Sequence, residues 1–223
     1  MTSQQPSNGV PDVRREQMLR AAASIIGERG FSETRIADVA RRSGASPALV
    51  IYYFSTKDDL LVEALRWSED GFYADVTEQL EQLGTAQEKL ELLVRTTCIS
   101  QGEDEVPGAW GLWFDTWAQA FRHPQVAKQR TESDQRWRDT IAGVVRAGQA
   151  AGEIGDVDAD AFAISFSALL DGLSIQVALE DPVVDPGRAF TIAMRFAASE
   201  LGVDWVIPTT PRRRRASGKA RGR

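Results

Sequence analysis

A chain of 223 residues with 43% hydrophobic content can bury a sizeable core, while its one cysteine (Cys98) and one histidine (His123) exclude an intrachain disulfide and argue against a Cys/His metal site. The net charge of -6 hides a segregation: residues 1–57 hold 8 Lys/Arg against 5 Asp/Glu, residues 212–223 hold 7 basic and no acidic residues, and residues 58–211 hold 11 basic against 27 acidic. An acidic body repels phosphate, so any contact with a nucleic acid would be confined to the amino-terminal end. A purely architectural DNA-binding protein would carry basic charge over more of its surface.

Residues 1–11 read as a disordered arm. From Asp12, Val13, Met18, Leu19, Ala22, Ile25 and Ile26 recur at helical spacing until Gly30. Arg14 and Arg15 stand at the start of that helix, where they either reach phosphate or are simply solvated. Thr34 is a candidate N-cap for a short helix with Ile36, Val39 and Ala40 on one face. Gly44 supplies the left-handed stop, and Ser46-Pro47 restarts a helix that ends near Phe54-Ser55. Helix, glycine turn, helix is the pattern of a helix-turn-helix, whose second helix enters the major groove.

Ser55 and Asp58 then resemble a capping box, opening a long helix through Leu60, Leu61, Ala64, Leu65 and Trp67 toward Leu83. After Gly84-Thr85 comes a helix with Leu90, Leu93, Val94 and Thr97 on its core face, and Gly102 to Gly108 breaks the pattern. In the helix that follows, Trp110, Trp113, Phe114, Trp117 and Phe121 gather on one stripe. Such a stripe is either core or the wall of a binding site. A charged amphipathic helix runs from Pro124 to about Gly152, burying Trp137, Ile141, Val144 and Val145.

Asp158 caps a helix with two apolar faces: Phe162, Phe166, Leu169, Leu173 and Val177 on one, and Ile164, Ala168, Gly172, Ile175 and Leu179 on the other. Both faces must be buried, by the rest of the chain or by a second copy. Pro182 and Pro186 precede a last helix with Phe190, Met194, Ala197 and Leu201. The tail from Pro211, PRRRRASGKARGR, reads as disordered and solvated, or as nonspecific phosphate attraction. An all-α protein of about nine helices follows. Its expected parts are a disordered arm (1–11), a DNA-binding domain (12–57), a helical ligand-binding and dimerisation domain (58–205) and a basic tail (206–223). There is no nucleophile motif, P-loop or carboxylate cluster, so no catalytic residue, cofactor or metal is assigned. No signal pattern opens the chain and no apolar run approaches membrane-spanning length, so a cytoplasmic protein is expected.

The stretch from Gly30 to Leu60 resembles the DNA-binding domain of the tetracycline-repressor (TetR) family of bacterial regulators. The matching residues are Gly30-Phe31, Thr34, Ile36-Ala37, Val39-Ala40, Ser43-Gly44-Ala45-Ser46, Tyr52-Tyr53-Phe54, Lys57 and Leu60. Ile51 departs from it, standing where many members carry a DNA-touching aromatic residue. The resemblance implies that Ala45, Ser46, Pro47, Ala48 and Leu49 face the groove. It implies that Tyr52 and Tyr53 touch phosphate or thymine methyls, and that Lys57, Thr34 and Arg35 hold phosphate.

It also implies a ligand-responsive repressor that binds a pseudo-palindromic operator in double-stranded DNA as a homodimer. Ala168, Gly172, Ile175 and Leu179, with Met194, are the interface candidates. In this family the later helices enclose a small-molecule pocket. Trp113-Phe114, the helix around Trp137 and Asp171-Gly172-Leu173 resemble the branch containing the choline-responsive repressor of glycine-betaine synthesis. That likeness makes Trp110, Trp113, Phe114, Trp117 and Phe166 candidate ligand contacts, with Asp115 and Asp171 as acidic partners. Aromatic faces beside carboxylates suit a cationic amine or quaternary ammonium. A neutral aromatic or acyl effector is the alternative.

Overall fold

Why these residues coil is local. Glycines stand where helices stop, short polar side chains stand where they start, and apolar residues recur every three to four positions between. The computed structural model describes residues 9–98 and 109–207, with side chains described for 13–98 and 111–207. Among these residues there are nine α-helices and no strand. They are α1 (Gly9–Arg29), α2 (Ile36–Ser43), α3 (Pro47–Phe54), α4 (Lys57–Glu81), α5 (Ala86–Cys98), α6 (Ala109–Ala120), α7 (Pro124–Ala150), α8 (Ala159–Ala178) and α9 (Pro186–Leu201). The all-α reading holds. The first helix begins at Gly9, inside the arm expected to be disordered, because Pro11 falls in the first turn, where a missing N–H costs nothing. The rest of that arm, the break at 102–108 and the tail from 208 lie outside the described residues.

Two units divide the chain: Met1–Gln79 with Gln101–Trp137, and Leu80–Ser100 with Arg138–Arg223. The boundary expected at 57/58 therefore falls inside the first unit. The reason is continuity: α4 leaves the helix-turn-helix as one unbroken helix, and α6 packs along α1. The core of this first unit gathers Met18, Ile25 and Ile26 of α1, Val39 and Ala40 of α2, and Val50 and Phe54 of α3. Leu60, Leu61 and Leu65 of α4, Leu112 of α6 and Val126 of α7 complete it.

Two expected caps move by one residue. Arg35, in an extended conformation, precedes α2, whereas Thr34 is fully buried and its hydroxyl donates to the Gly30 carbonyl at 2.8 Å. The box opening α4 is Thr56/Asp59 rather than Ser55/Asp58. The Asp59 amide donates to Thr56 Oγ1 at 3.0 Å, and the Thr56 hydroxyl returns a bond to the Asp59 carboxylate at 2.6 Å. Ser55 is displaced because it ends α3 with a φ of 58°.

In the second unit, α5, α8 and α9 pack on one another. Asp158 caps α8 as expected, accepting from the Asp160 and Ala161 amides at 3.0 Å. Phe162 stacks on Phe166 with centroids 5.1 Å apart, and Phe196 of α9 lies 6.3 Å from Phe166 and nearly parallel to it. Arg95 of α5 lays its guanidinium 4.4 Å over the Phe190 ring. Gly148 allows a close approach, since a Cβ there would stand 2.7 Å from Ile154 Cδ1 and 2.9 Å from the Ala86 methyl. Contrary to the expectation of no membrane-length run, α8 is long and apolar enough to cross a bilayer by length and composition. Its Phe162, Ala163, Phe166, Leu170 and Leu173 are instead buried within this unit.

Candidate nucleic-acid interface and aromatic site

The turn between α2 and α3 is built as its sequence dictates. Gly44 adopts φ 69° and closes α2 with bonds to the Ala40 and Arg41 carbonyls. Ser46 then caps α3, its hydroxyl accepting the Leu49 amide at 3.2 Å, with Pro47 at the first helical position. On α3 the exposed face runs Pro47, Ala48, Ile51, Tyr52. The opposite face, Val50 and Phe54, is core, as expected.

The other DNA candidates divide. Ser46 and Arg35 are exposed, and Tyr52 is 81% exposed, edge-on to Tyr53 at 5.7 Å. Ala45, Leu49 and Tyr53 are half-buried and pack against the core, so they both support α3 and border the exposed face. Lys57 donates to the Ser32 carbonyl at 3.1 Å, which holds its ammonium beside the α1–α2 turn. Thr34 differs from the expectation: with no exposed surface and its hydroxyl spent on Gly30, its side chain does not reach phosphate. Arg15 is occupied too, paired with Glu63 and 5.4 Å over the Phe54 ring. Ile51, 43% exposed, lies on the same outward face, outside the set of contacts that the family resemblance implies. Its signal is the spacing 47, 48, 51, 52.

The aromatic residues of α4, α6 and α7 converge in the first unit. Phe72 meets Trp113 edge-on at 6.2 Å, Tyr73 at 5.3 Å and Trp137 at 6.0 Å, and Tyr73 lies 6.4 Å from Trp137. The Tyr73 hydroxyl donates to the Ser133 carbonyl at 2.9 Å, and burial pushes its pKa well up. Phe114 and Trp117 form a second pair at 5.9 Å. Both groups already carry a cation: the Arg136 guanidinium lies 4.0 Å over Tyr73 and that of Arg130 lies 5.5 Å over Trp117. Glu69, one turn before Tyr73, accepts from Gln129 at 2.6 Å, and burial pushes its carboxyl above the usual range. Phe72 and Tyr73 lay outside the expected set because α4 shows them only as one apolar pair among charges.

Several expected ligand residues are placed elsewhere. Trp110 lies on α6, its side chain outside the described residues. The Asp115 carboxylate accepts the Phe31 amide and, at 3.2 Å, the Gln119 side-chain amide, so it faces α1 rather than the aromatic group. Phe166 has no exposed surface and is the centre of the second unit's stacked phenylalanines. Asp171 is half-buried on α8, where its charge adds to the larger effect of burial in raising the pKa of Cys98. Of the interface candidates, Ala168 and Leu179 are exposed, and Gly172 and Ile175 half-exposed, on one side of α8, together with Ile164. Met194 is fully buried within its own chain, on α9, which packs on α5 and α8, and so leaves the interface set.

A helix-turn-helix with an exposed recognition face, continued by a helical body, defines a DNA-binding regulator. Residues 18–64 match the family model for bacterial regulatory proteins of the tetR family, and residues 86–202 match that for the BetI-type transcriptional repressor C-terminal domain. The chain belongs to the TetR family, in its BetI-type branch, and is a DNA-binding transcriptional repressor of that family. It is 27% identical over 202 residues to the HTH-type transcriptional regulator BetI of Escherichia coli K12, covering 89% of this chain and all of that one. The Cronobacter sakazakii BetI is likewise 27% identical, over 88% of this chain and 95% of its own length. Among solved structures, a transcriptional regulator from Saccharomonospora viridis in complex with choline is 31% identical, with a TM-score of 0.74, over 83% of this chain and 95% of its own. A TetR-family regulator from Rhodococcus sp. is 26% identical with the same TM-score, over 85% and 99%.

Proposed function

We propose that this repressor holds a pseudo-palindromic operator as a homodimer, in the cytoplasm, and is released by a small cationic amine or quaternary ammonium. One helix-turn-helix reads few base pairs, and a two-fold dimer doubles the site. The readout at α3 is apolar and shape-based. Pro47, Ala48, Ile51 and Tyr52 offer aliphatic groups and one phenol, with no side-chain amide or guanidinium for bidentate base contacts. Arg35, Lys57 and Tyr52 are assigned to phosphate.

The observation that carries the effector class is the occupation of both aromatic groups by guanidinium. Rings that accept Arg136 at 4.0 Å and Arg130 at 5.5 Å have faces suited to an ammonium. Each such contact is worth roughly 0.5–2 kcal/mol. The choline held by the Saccharomonospora viridis relative supports the same class. Trp113, Trp117 and Phe114, with Phe72, Tyr73 and Trp137, are the proposed wall. Coupling requires that the ligand prefer the conformation that does not bind DNA, with α4 carrying the shift because it begins at the DNA-binding turn.

Tryptophan fluorescence titration tests this. Saturable quenching by choline, weakened in Trp113→Phe, together with loss of operator binding, is the expected result. Saturation by neutral aromatics or acyl thioesters alone overturns the cation assignment.

A further inference from the structure

Besides α4, a second connection joins the aromatic helices to the DNA-binding turn. We infer that Asp115 is a positioning residue that holds the α1–α2 turn in its operator-ready conformation. Its carboxylate, on α6, accepts the backbone amide of Phe31 from 84 residues away in the chain. Gln119, itself buried, donates to the same carboxylate at 3.2 Å and fixes its rotamer. Gly30 adopts φ 86°, and a Cβ there would stand 3.6 Å from Asp115 Oδ1.

The contact is not isolated. One turn earlier on α6, Gly111 meets α1 backbone to backbone: a Cβ on it would lie 2.5 Å from the Gly27 carbonyl oxygen. Beyond the end of α6, His123 meets the buried Phe31 ring at 5.5 Å. The segment so gripped also contains Ser32, which receives Lys57, and Arg35, which precedes α2.

At 100° per residue, Gly111 and Asp115 share one face of α6, while Trp113 and Trp117 lie about 160° from Asp115. One helix therefore presents its aromatic side to the proposed effector wall and its Gly/Asp side to the DNA-binding turn. Movement of α6 at the rings is delivered to the Phe31 amide. This last step rests on the effector reading above; the grip on the turn does not.

Linkage makes the role separable from mere structural support. If Asp115 stabilises the operator-ready state, removing it populates the released state, so operator affinity falls while effector affinity rises. A damaged fold lowers both.

The test uses the full chain, an operator duplex selected with the wild-type protein, and choline as probe. Asp115→Ala should bind operator about tenfold more weakly, a factor within the usual range of allosteric coupling, with unchanged helicity and tighter choline binding. Asp115→Asn keeps an acceptor oxygen and should stay near wild type. Gly111→Ala, which must push α6 from α1, should shift both affinities in the same directions as Asp115→Ala. Unchanged operator affinity in Asp115→Ala, or a parallel loss of operator and choline binding, overturns the assignment. If the wild type ignores choline, the cation reading fails alone. Hydrogen exchange then decides, because faster exchange confined to 30–35 in Asp115→Ala supports the grip and acceleration throughout α1 overturns it.

Discussion

Thr34 is sealed in the first unit with its hydroxyl 2.8 Å from the Gly30 carbonyl, so the residue that family likeness assigns to phosphate is a brace across the α1–α2 turn. Thr34→Val keeps the volume and removes the bond. It should lower stability by about 1 kcal/mol. The salt dependence of operator binding should keep its wild-type slope, since no phosphate contact is lost. Chemical denaturation and salt titration read the two effects separately, and a slope reduced without loss of stability would return Thr34 to the backbone contacts.

Arg35 and Ile51 should fail differently. Arg35 is exposed at the entrance to α2, so Arg35→Ala should weaken binding to all sequences and reduce the salt slope by about 1. Ile51 contributes only apolar surface to the exposed side of α3, so Ile51→Ala should leave the slope alone and relax preference at one or two base pairs. Binding to a panel of operator variants at several salt concentrations distinguishes the two.

Local chemistry made much of this fold legible. Gly44, Ser46-Pro47 and Asp158 act through their own backbone and nearest neighbours, and each was readable in place. Apolar spacing likewise gave the number and order of the helices. The chain could not disclose where a polar side chain spends its bonds at long range. Asp115 sits two residues from Trp113, yet it faces the other way and binds Phe31. The phenylalanine stack that claims Phe166 draws Phe196 from another helix. Phe72 and Tyr73 became part of the aromatic group only through the packing of α4 against α6 and α7 residues. Capping choices one residue apart, Thr56 over Ser55, were settled by the φ of 58° that ends α3.

Glu69 sets a pH dependence. Burial raises its carboxyl pKa above 4.5, against the opposing hydrogen bonds from Ser133 and Gln129. The folded state therefore holds the proton more tightly than the unfolded chain. This contribution to stability is fully present below the unfolded pKa and is lost as pH rises through the folded one. Glu69→Gln removes that loss while keeping an acceptor for Gln129, so the variant should gain thermal stability over wild type on the alkaline side of that window. Melting curves from pH 4 to 8 provide the check, and a variant whose pH profile parallels wild type would discount burial at this site.

Cys98 is fully buried, and burial pushes its thiol up to about 11. At pH 8 its thiolate fraction is lower than that of a free cysteine by roughly two orders of magnitude, before any steric protection. Alkylation by iodoacetamide should be negligible in the native protein and should follow global unfolding when denaturant is added. Rapid labelling under native conditions would mean that α5 opens locally.

The exposed side of α8 is apolar. Ile164 is 59% exposed and Leu179 is 73% exposed, with Ala168 and Gly172 between them on the same side. A lone chain gains nothing from apolar side chains in that position, whereas a two-fold contact buries the same surface on both copies. Ala168 is exposed, so Ala168→Arg should change the stability of an isolated chain by no more than about 0.5 kcal/mol. Across a two-fold axis it would place two like charges within an apolar contact, where unpaired burial costs several kcal/mol. Sedimentation should therefore find monomers with wild-type helicity. Their melting temperature should no longer depend on protein concentration. Affinity for the full operator should collapse toward that for a half-site, because each monomer reads only one. A variant that remains dimeric and binds the full operator normally would place the subunit contact elsewhere on the chain.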